Sequence, residues 1–496
     1  MPAKPLKRIS TKLKQLLPNN RFARSVSVLA GGTAAGQLIV IAASPILTRL
    51  YTPEDFGLLA VYAGILGILG VIANLRYQLA IPLPDSDEDA ASIAALSLLV
   101  VVLITVLAAI AVWLFGAELV HLLNTPALET YLWLVPVGIF LVGIYQTLQY
   151  WALRTKLFSI IAKTKMVQSA SVAGIQIIGA ALGPVALLGG RTLGQAAVNL
   201  SLWKGIKSTL PAQGGSVNVK SILAMALKFK QFPLFSSWAG LLNASGSQVP
   251  PLFFAALFGP AAAGGYMLAQ RVINMPLSVI GAAIADAFLP SSIDALREKR
   301  LGRHVASLFL ALASLILPGA TLLFFIAPGI FGVVFGEEWY LAGEIVRWLS
   351  PMLAIQFLIS PVSRIFVTLE RQGLALSLQA SLFALRIGAL LLAFLVDLSL
   401  LDAVKIFSLA SALGYGLYFL VISKVAELDK QLFLRNIGPT MFASILILLV
   451  CLGSRWLIKD EQLWLFVSFI LGGLIVAGRL LILLKGLRIS APKNNK

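Results

Sequence analysis

Long apolar stretches, separated by short polar turns rich in Gly and Pro, run through almost the whole chain. A membrane-spanning helix needs roughly 20 apolar residues, and this pattern predicts about fourteen such helices. They lie at about 25–50, 56–81, 90–115, 131–153, 166–188, 190–203, 234–258, 261–289, 304–327, 344–368, 374–396, 402–423, 437–458 and 462–485. The pattern therefore predicts an all-α polytopic membrane protein. The sixth span is short, and its boundary with the fifth is the least sharply marked.

An internal repeat divides these predicted spans into two sets. The loop Tyr51-Thr-Pro53-Glu-Asp-Phe-Gly57 matches Phe258-Gly-Pro260-Ala-Ala-Ala-Gly264 in its aromatic, Pro and Gly positions. Such repeats are common in secondary transporters, where the binding site lies between the halves. We therefore expect two pseudo-symmetric six-helix lobes followed by a helix pair. The predicted divisions are a basic N-terminal arm at 1–24, an N-lobe at 25–203, an inter-lobe linker with an amphipathic segment at 204–233, a C-lobe at 234–423, helices thirteen and fourteen at 437–485, and a basic tail at 486–496.

The composition supports a membrane protein, since 59% of the 496 residues are hydrophobic and only 12% are charged. The formal net charge of +18 could indicate nucleic-acid binding in a soluble protein. Here most of the 39 basic residues fall in loops on the side of both termini, while acidic residues favour the other side. By the positive-inside rule, both termini are predicted to be cytoplasmic, and no nucleic-acid partner is predicted.

Cysteine and histidine are too scarce for several kinds of chemistry. The single cysteine, Cys451, lies in an apolar run; of the two histidines, His121 lies in a short loop and His304 opens a predicted span. This excludes disulfide bonds and a multi-cysteine metal site. We predict no metal site, no catalytic residue and no bound cofactor, with coupling to H⁺ or Na⁺ left open.

Ionisable residues within predicted spans are candidates for function, because one at the bilayer centre costs about 2.5–3.5 kcal/mol on insertion scales. Arg271 and Arg386 both fall near mid-membrane. Asn274 and Ser278 follow Arg271 at i+3 and i+7, so the eighth span presents a basic, hydrogen-bonding face. The one acid within a span, Asp286, is about four turns from Arg271.

Weaker candidates lie on other spans. Arg76 and Arg364 sit near the cytoplasmic ends of their spans, where they could either face a substrate or extend to the interface. Asn243 shares a face with Gly240, and Gln37 lies beside a Gly-x-x-x-Gly pattern that could equally serve helix packing. The predicted substrate-binding residues are Arg271, Arg76, Arg386, Arg364, Asn274, Gln37 and Asn243.

The predicted membrane interior is cationic and nearly free of acids, which indicates an anionic solute. Arginine suits phosphate through bidentate donors and weak hydration. A diphosphate with two negative charges would gain about 4–5 kcal/mol per 100 mV on moving outward, because an inside-negative potential repels anions from the cytoplasmic side. Voltage alone could therefore assist export.

Several segments resemble one family of transporters. These are Leu47-Thr-Arg-Leu-Tyr-Thr-Pro-Glu-Asp-Phe-Gly57, Arg76-Tyr-Gln-Leu-Ala-Ile81, Phe232-Pro-Leu-Phe235, Gly265-Tyr266 and Ala269-Gln-Arg271. They are similar to Wzx-type polysaccharide-repeat-unit (O-antigen) flippases of the multidrug/oligosaccharidyl-lipid/polysaccharide (MOP) superfamily. The resemblance implies alternating access to a cavity between two lobes, and transfer of an undecaprenyl-diphosphate-linked oligosaccharide to the periplasmic leaflet. Cavity arginines would engage the diphosphate and sugars, which maps onto Arg271 and then Arg76. Membrane lipids, a polymerase and a chain-length regulator are further candidate partners.

Competing functions predict different features. A drug or cation exporter of the same superfamily needs an intramembrane carboxylate, and the first six predicted spans have none at mid-membrane. A membrane glycosyltransferase, ligase or polysaccharide polymerase usually needs a larger outer loop than any predicted here. A lipid II flippase shares the expected fold, and the charge pattern does not separate it from a polysaccharide flippase.

Overall fold

The computed structural model describes residues 21–209, 218–276 and 280–490, which are almost entirely helical. We number the helices in chain order. They are α1 Arg21–Leu50, α2 Pro53–Ile72, α3 Asp87–Leu122, α4 Leu134–Arg154, α5 Phe158–Ile178, α6 Pro184–Ile206, α7 Val219–Lys228, α8 Ser237–Phe258, α9 Pro260–Pro276, α10 Ala282–Arg297, α11 Leu301–Phe335, α12 Tyr340–Val362, α13 Ile365–Thr368, α14 Gln372–Leu395, α15 Leu400–Val425, α16 Lys430–Leu457 and α17 Glu461–Ser490.

The prediction of an all-α membrane protein with about fourteen spans is confirmed. Within the described ranges, ten helical segments are long and apolar enough to cross a membrane. The remaining spans correspond to α5, α6, α8 and the α9–α10 pair, which are less apolar. Helices with polar positions at membrane depth must face other helices or a cavity rather than lipid. The less apolar helices are therefore where a polar site is expected.

The boundary between the fifth and sixth spans was predicted wrongly. In the structure α5 ends at Ile178 and α6 begins at Pro184. Both helices therefore begin earlier in the chain than the predicted spans at 166–188 and 190–203. Gly183 makes the turn with a φ of +59°, which glycine adopts without strain. The sixth span is a full 23-residue helix. The prediction failed because Lys163 and Lys165 lower the hydropathy of the first two turns of α5.

One predicted span is interrupted in the structure. The second span, predicted as 56–81, is helical only to Ile72, and the chain then turns through Leu75 and Arg76, with φ values of +46° and +63°. A short 3-10 turn, Tyr77–Ala80, follows. The eighth span, predicted as 261–289, is described as α9 and α10, which lie on either side of residues 277–279, outside the described part. Interrupted spans are typical of transporter binding sites, because they expose backbone groups at membrane depth.

Loop chemistry explains why the helices begin where they do. Thr52 caps α2: its hydroxyl accepts a hydrogen bond from the Asp55 backbone N–H at 3.2 Å, and Asp55 accepts one from the Thr52 N–H at 3.1 Å. Pro53 occupies the first helical position, where a missing N–H costs nothing. Ser86 caps α3 in the same way, with Asp89 as the donor. The Thr-Pro-Glu-Asp part of the repeat is thus a helix-start signal.

The chain divides into two compact units, residues 1–263 and 264–496, and the division falls inside α9. In the first unit α1 packs on α5, α5 on α6, α6 on α4 and α4 on α3, while α2 contacts α4, α6 and α8. The amphipathic helix α7 packs on α3. In the second unit α11 contacts α12, α16 and α17, and α15 contacts α12 and α14. The predicted lobes at 25–203 and 234–423 stay a prediction, and residues 1–20, 210–217 and 491–496 lie outside the described ranges.

Glycines allow α1 and α5 to pack closely in the first unit. A Cβ at Gly32 of α1 would lie 2.6 Å from the Cβ of Ala162 on α5, and one at Gly36 would lie 3.0 Å from the Ser169 Oγ. Such distances leave no room for a side chain at Gly32. The Gly-x-x-x-Gly pattern therefore serves helix packing, and it fixes α5 tightly against α1.

Candidate substrate-binding site

Arg76 is the best-defined candidate in the first unit. The interruption after α2 places its guanidinium against Gly240 of α8, where a Cβ would lie only 2.7 Å from the Arg76 Cζ. Its Nε atom is buried and has no hydrogen-bond partner among the described residues. An unsatisfied charged donor inside a protein is costly, which makes this group a candidate for binding a ligand.

Amide side chains surround the turn that carries Arg76. Asn74 donates to the Gly143 carbonyl at 3.0 Å and to the Thr147 Oγ1 at 2.9 Å. Gln78 donates to the Gln146 Oε1 at 3.1 Å. These bonds hold the interrupted end of the second span against α4. The Oδ1 of Asn74 and the Oε1 of Gln78 are buried and accept no hydrogen bond in the described part of the chain, which leaves acceptors for hydroxyl groups.

The other candidates of the first unit lie on neighbouring helices. Asn243 is exposed and lies one turn from Gly240 on α8. Along the same helix, Gln248 and Leu252 pack over Gly67 and Gly64 of α2. Gln37 is half-buried on α1, the helix that packs against α5. Asn243 thus shares the α8 segment that Arg76 contacts, whereas Gln37 belongs to a different helix pair.

Arg386 is the centre of a polar and aromatic cluster in the second unit. Its Nε donates to the Ser411 Oγ at 3.0 Å and its Nη2 to the Tyr415 hydroxyl at 3.3 Å. The guanidinium carbon lies 5.8 Å from the Phe407 ring centroid and 5.5 Å from that of Tyr415. Cation–π contacts and hydroxyl acceptors stabilise this charge without a carboxylate.

The cluster continues onto α9 through a chain of contacts. Tyr266 packs edge-on against Phe407, with ring centroids 6.3 Å apart. Gln270 donates to the Tyr266 hydroxyl at 2.9 Å, and Asn274 donates to the Gln270 Oε1 at 2.6 Å. The structure thus brings two predicted site residues, Asn274 and Arg386, into one network.

The remaining predicted residues of the second unit are less defined by their surroundings. Arg271 is half-buried on α9, next in sequence to Gln270. Arg364 is exposed just before α13, at some distance in sequence from the Arg386 network. Ser278 and the side chain of Asp286 lie outside the part of the chain that the structure describes.

One candidate was missed in the sequence. Lys165 was assigned to a loop, but it lies inside α5, with its Nζ 5.1 Å from the centroid of the Tyr145 ring on α4. Residues 130–285 contain no Asp or Glu. A lysine in so long a stretch without acids is a sequence signal that could have marked it.

We expect Ser411→Ala to destabilise the second unit by about 1.5–3 kcal/mol, because the Arg386 Nε would lose its buried acceptor. The measurement is the thermal unfolding of the purified chain in detergent. Ser381→Ala on α14 is the matched control, since the Ser381 hydroxyl bonds to the Ser377 carbonyl of its own helix. Equal unfolding temperatures for the two variants would contradict the structural role of Ser411.

Comparisons with known proteins agree with this architecture. A lipid II flippase, MurJ, in an inward closed conformation has a TM-score of 0.71 over 92% of this chain and 99% of its own, at 12% identity. An inward-facing multidrug resistance MATE family transporter of the MOP superfamily has a TM-score of 0.62 over 79% of this chain and 94% of its own, at 15% identity. No curated protein matches this sequence. The chain therefore has the fold that these two membrane transporters share.

A sequence profile gives the more particular assignment. The profile for polysaccharide biosynthesis proteins matches residues 46–343, more than half of the chain. The chain belongs to this polysaccharide biosynthesis protein family. The resemblance carried by the first-hairpin and α9 motifs is thereby confirmed at the level of family and superfamily fold.

Proposed function

We propose that the chain is a flippase that moves an undecaprenyl-diphosphate-linked polysaccharide repeat unit from the cytoplasmic to the periplasmic leaflet. The observation that carries this proposal is the surroundings of Arg76: its buried Nε has no hydrogen-bond partner among the described residues, and the buried amide oxygens of Asn74 and Gln78 nearby in sequence are likewise unbonded. Family membership supports the substrate class.

The chemistry of these surroundings fits a phosphorylated sugar lipid. Diphosphate oxygens would bind the guanidinium through charge-assisted hydrogen bonds, which are stronger than neutral ones. Sugar hydroxyls would donate to the free oxygens of Asn74 and Gln78. Arg271, Arg364, Arg386, Asn274, Gln37 and Asn243 are proposed as further substrate contacts. The Arg386 network would then receive either phosphate or sugar through its aromatic rings.

Alternative functions differ in the groups they require. A drug exporter of this superfamily would need a carboxylate to bind a cation, and α1, α4, α5, α6, α8 and α9 contain no Asp or Glu. A lipid II flippase is a second candidate, favoured by the high TM-score to such a protein. A polymerase or glycosyltransferase would require catalytic acids or histidines, and we propose no catalytic residue here.

The setting of this function follows from the same proposal. Both termini would be cytoplasmic in the bacterial inner membrane, and a polymerase and a chain-length regulator would act on the exported unit. An inside-negative potential favours outward movement of the diphosphate by about 2.3 kcal/mol per charge per 100 mV. Coupling to H⁺ or Na⁺ is the alternative source of energy.

Cells that lack this protein are expected to accumulate the lipid-linked repeat unit on the cytoplasmic leaflet, because the unit is built there and cannot cross unaided. The measurement is the susceptibility of the accumulated unit to a periplasmic glycosidase in whole cells, before and after permeabilisation. Restoration of export by the wild-type gene is the control. Accumulation in the periplasmic leaflet would instead indicate a polymerase, and a selective block in lipid II would indicate a lipid II flippase.

A further inference from the structure

A second polar cluster lies inside the first unit, among α4, α5 and α6, apart from the contact between Arg76 and Gly240. Lys165 of α5 directs its ammonium group at the ring of Tyr145 on α4, 5.1 Å from the centroid. One turn along α5, Gln168 donates to the Oε1 of Gln195 on α6 at 2.7 Å. Asn199, one turn further along α6, donates to the Leu141 carbonyl of α4 at 2.9 Å. Three helices thus bring five polar side chains together.

The predicted fifth span begins at residue 166, but α5 begins at Phe158, so Lys165 lies inside a helix rather than in a loop. At about 1.5 Å per residue, Lys165 is about 10 Å along α5 from its start at Phe158, and Tyr145 is about 13 Å along α4 from its end at Arg154. The hydrocarbon core is roughly 30 Å thick. Because the ammonium group contacts a ring at this depth, it is not extended to the nearby interface. A lysine held inward in this way is a candidate functional group.

The cluster has hydrogen-bonding groups without partners. The Tyr145 hydroxyl, the Gln195 Nε2 and the Asn199 Oδ1 are buried and unbonded among the described residues. The exposed fractions of these side chains are 7%, 9% and 8%. Lys165 likewise forms no hydrogen bond or ion pair in that part of the chain. The donors without a partner there are the Lys165 ammonium, the Gln195 amide nitrogen and the Tyr145 hydroxyl. They outnumber the one buried amide oxygen without a partner, that of Asn199.

The helices that form the cluster carry no acidic residue that could pair with Lys165. Residues 130–285 include α4, α5 and α6 and contain no Asp or Glu. Helix α1, which packs on α5, has none either. Lys165 is half-buried, and charges that are withdrawn from water in proteins are normally paired, so the natural partner of Lys165 is an anion that comes from a ligand.

We propose that Lys165, Tyr145 and Gln195 form an anion-binding site that holds an anionic oxygen group of the transported molecule. The ammonium group would pair with the charge, and the Gln195 amide and Tyr145 hydroxyl would donate to its oxygens. Two parts of a lipid-linked oligosaccharide carry such oxygens: the diphosphate, and the carboxylate of an acidic sugar. This inference rests on the proposed function for the identity of the ligand, but the site itself is defined by the residues.

Binding to the purified full chain in lipid nanodiscs tests the site without transport. The probes are undecaprenyl diphosphate without sugar, glucuronate, and neutral glucose. The variants are Lys165→Gln, Lys165→Arg, and Lys163→Gln, which alters an exposed lysine of the same helix. We expect Lys165→Gln to weaken the binding of one anionic probe at least tenfold, with Lys165→Arg and Lys163→Gln within about threefold of wild type.

The outcomes separate the two sources of the anion. A loss for undecaprenyl diphosphate assigns the site to the lipid phosphates, and a loss for glucuronate assigns it to an acidic sugar. Equal affinities of Lys165→Gln and Lys163→Gln for both anions would overturn the proposal. If Lys165→Gln does not fold, Gln195→Leu provides the same comparison. If Lys165→Gln binds both anions like wild type while cells still export the polysaccharide, this site alone is refuted. If binding depends on Lys165 but cells show no export, only the proposed function is refuted.

Discussion

Arg76→Ala is expected to lower the export of surface polysaccharide about a hundredfold while the protein still inserts in normal amounts. The removed guanidinium lies on Gly240 with its Nε unbonded, so little of the fold depends on its hydrogen bonds. Loss of one charged partner in a buried pair costs about 2–5 kcal/mol, and about 2.7 kcal/mol corresponds to a hundredfold change. The measurement is surface polysaccharide per unit of membrane-inserted protein.

Two further variants separate charge from geometry at this position. Arg76→Lys keeps the positive charge but removes bidentate hydrogen bonding, so we expect intermediate export. Lys204→Ala, which removes an exposed cation from α6 in the same unit, should export like wild type. Full export by Arg76→Ala would show that the substrate does not use this guanidinium.

Gly57→Ala is expected to open the junction between the start of α2 and the start of α9. A Cβ at Gly57 would overlap the Pro260 carbonyl and lie 2.7 Å from the Pro260 Cα. The obstruction is backbone, which cannot rotate away as a side chain could. Overpacking costs about 1–3 kcal/mol. This cost is sufficient to shift the equilibrium between the closed and the open junction about tenfold.

The opening can be followed by the reaction of an introduced thiol with a membrane-impermeant reagent. Ala262→Cys places that thiol at a buried position of α9 near the junction, and the native Cys451 is fully buried. We expect the labelling rate to rise about tenfold when Gly57→Ala is added. Gly31→Ala is the control, because a Cβ there meets nothing within 4 Å. An unchanged rate in the Gly57→Ala background would mean that the junction tolerates the added methyl group.

The sequence was sufficient for the features that depend on local pattern. The number of spans followed from apolar length, and the start of α2 from its Thr-Pro-Glu-Asp signal. The two loops of the repeat were matched by their aromatic, Pro and Gly positions, and the structure brings these loops into contact at Gly57 and Pro260. Each of these signals is confined to a few neighbouring residues, which is why it can be recognised without tertiary structure.

Features that depend on tertiary contacts could not be predicted. Nothing in Asn74-Leu-Arg76 requires a left-handed turn, since neither Leu75 nor Arg76 favours positive φ. That turn is held by hydrogen bonds from Asn74 to α4 and by the contact of the Arg76 guanidinium with Gly240, which has no side chain in the way. Lys165 was misplaced for a related reason: hydropathy scores its charge as a loop signal, whereas the structure gives it an aromatic partner on another helix.

The polar character of α5 also has a consequence for how the chain enters the membrane. With two lysines in its first two turns, this helix would leave the translocation channel for lipid at a higher free energy than its neighbours. Helix α5 packs closely on Gly32 and Gly36 of α1, so its polar side can contact protein instead of lipid. Helix α1 must therefore remain near the channel until α5 has been synthesised. Bulky residues at Gly32 would be expected to cause degradation of the newly made chain rather than a slower transport cycle.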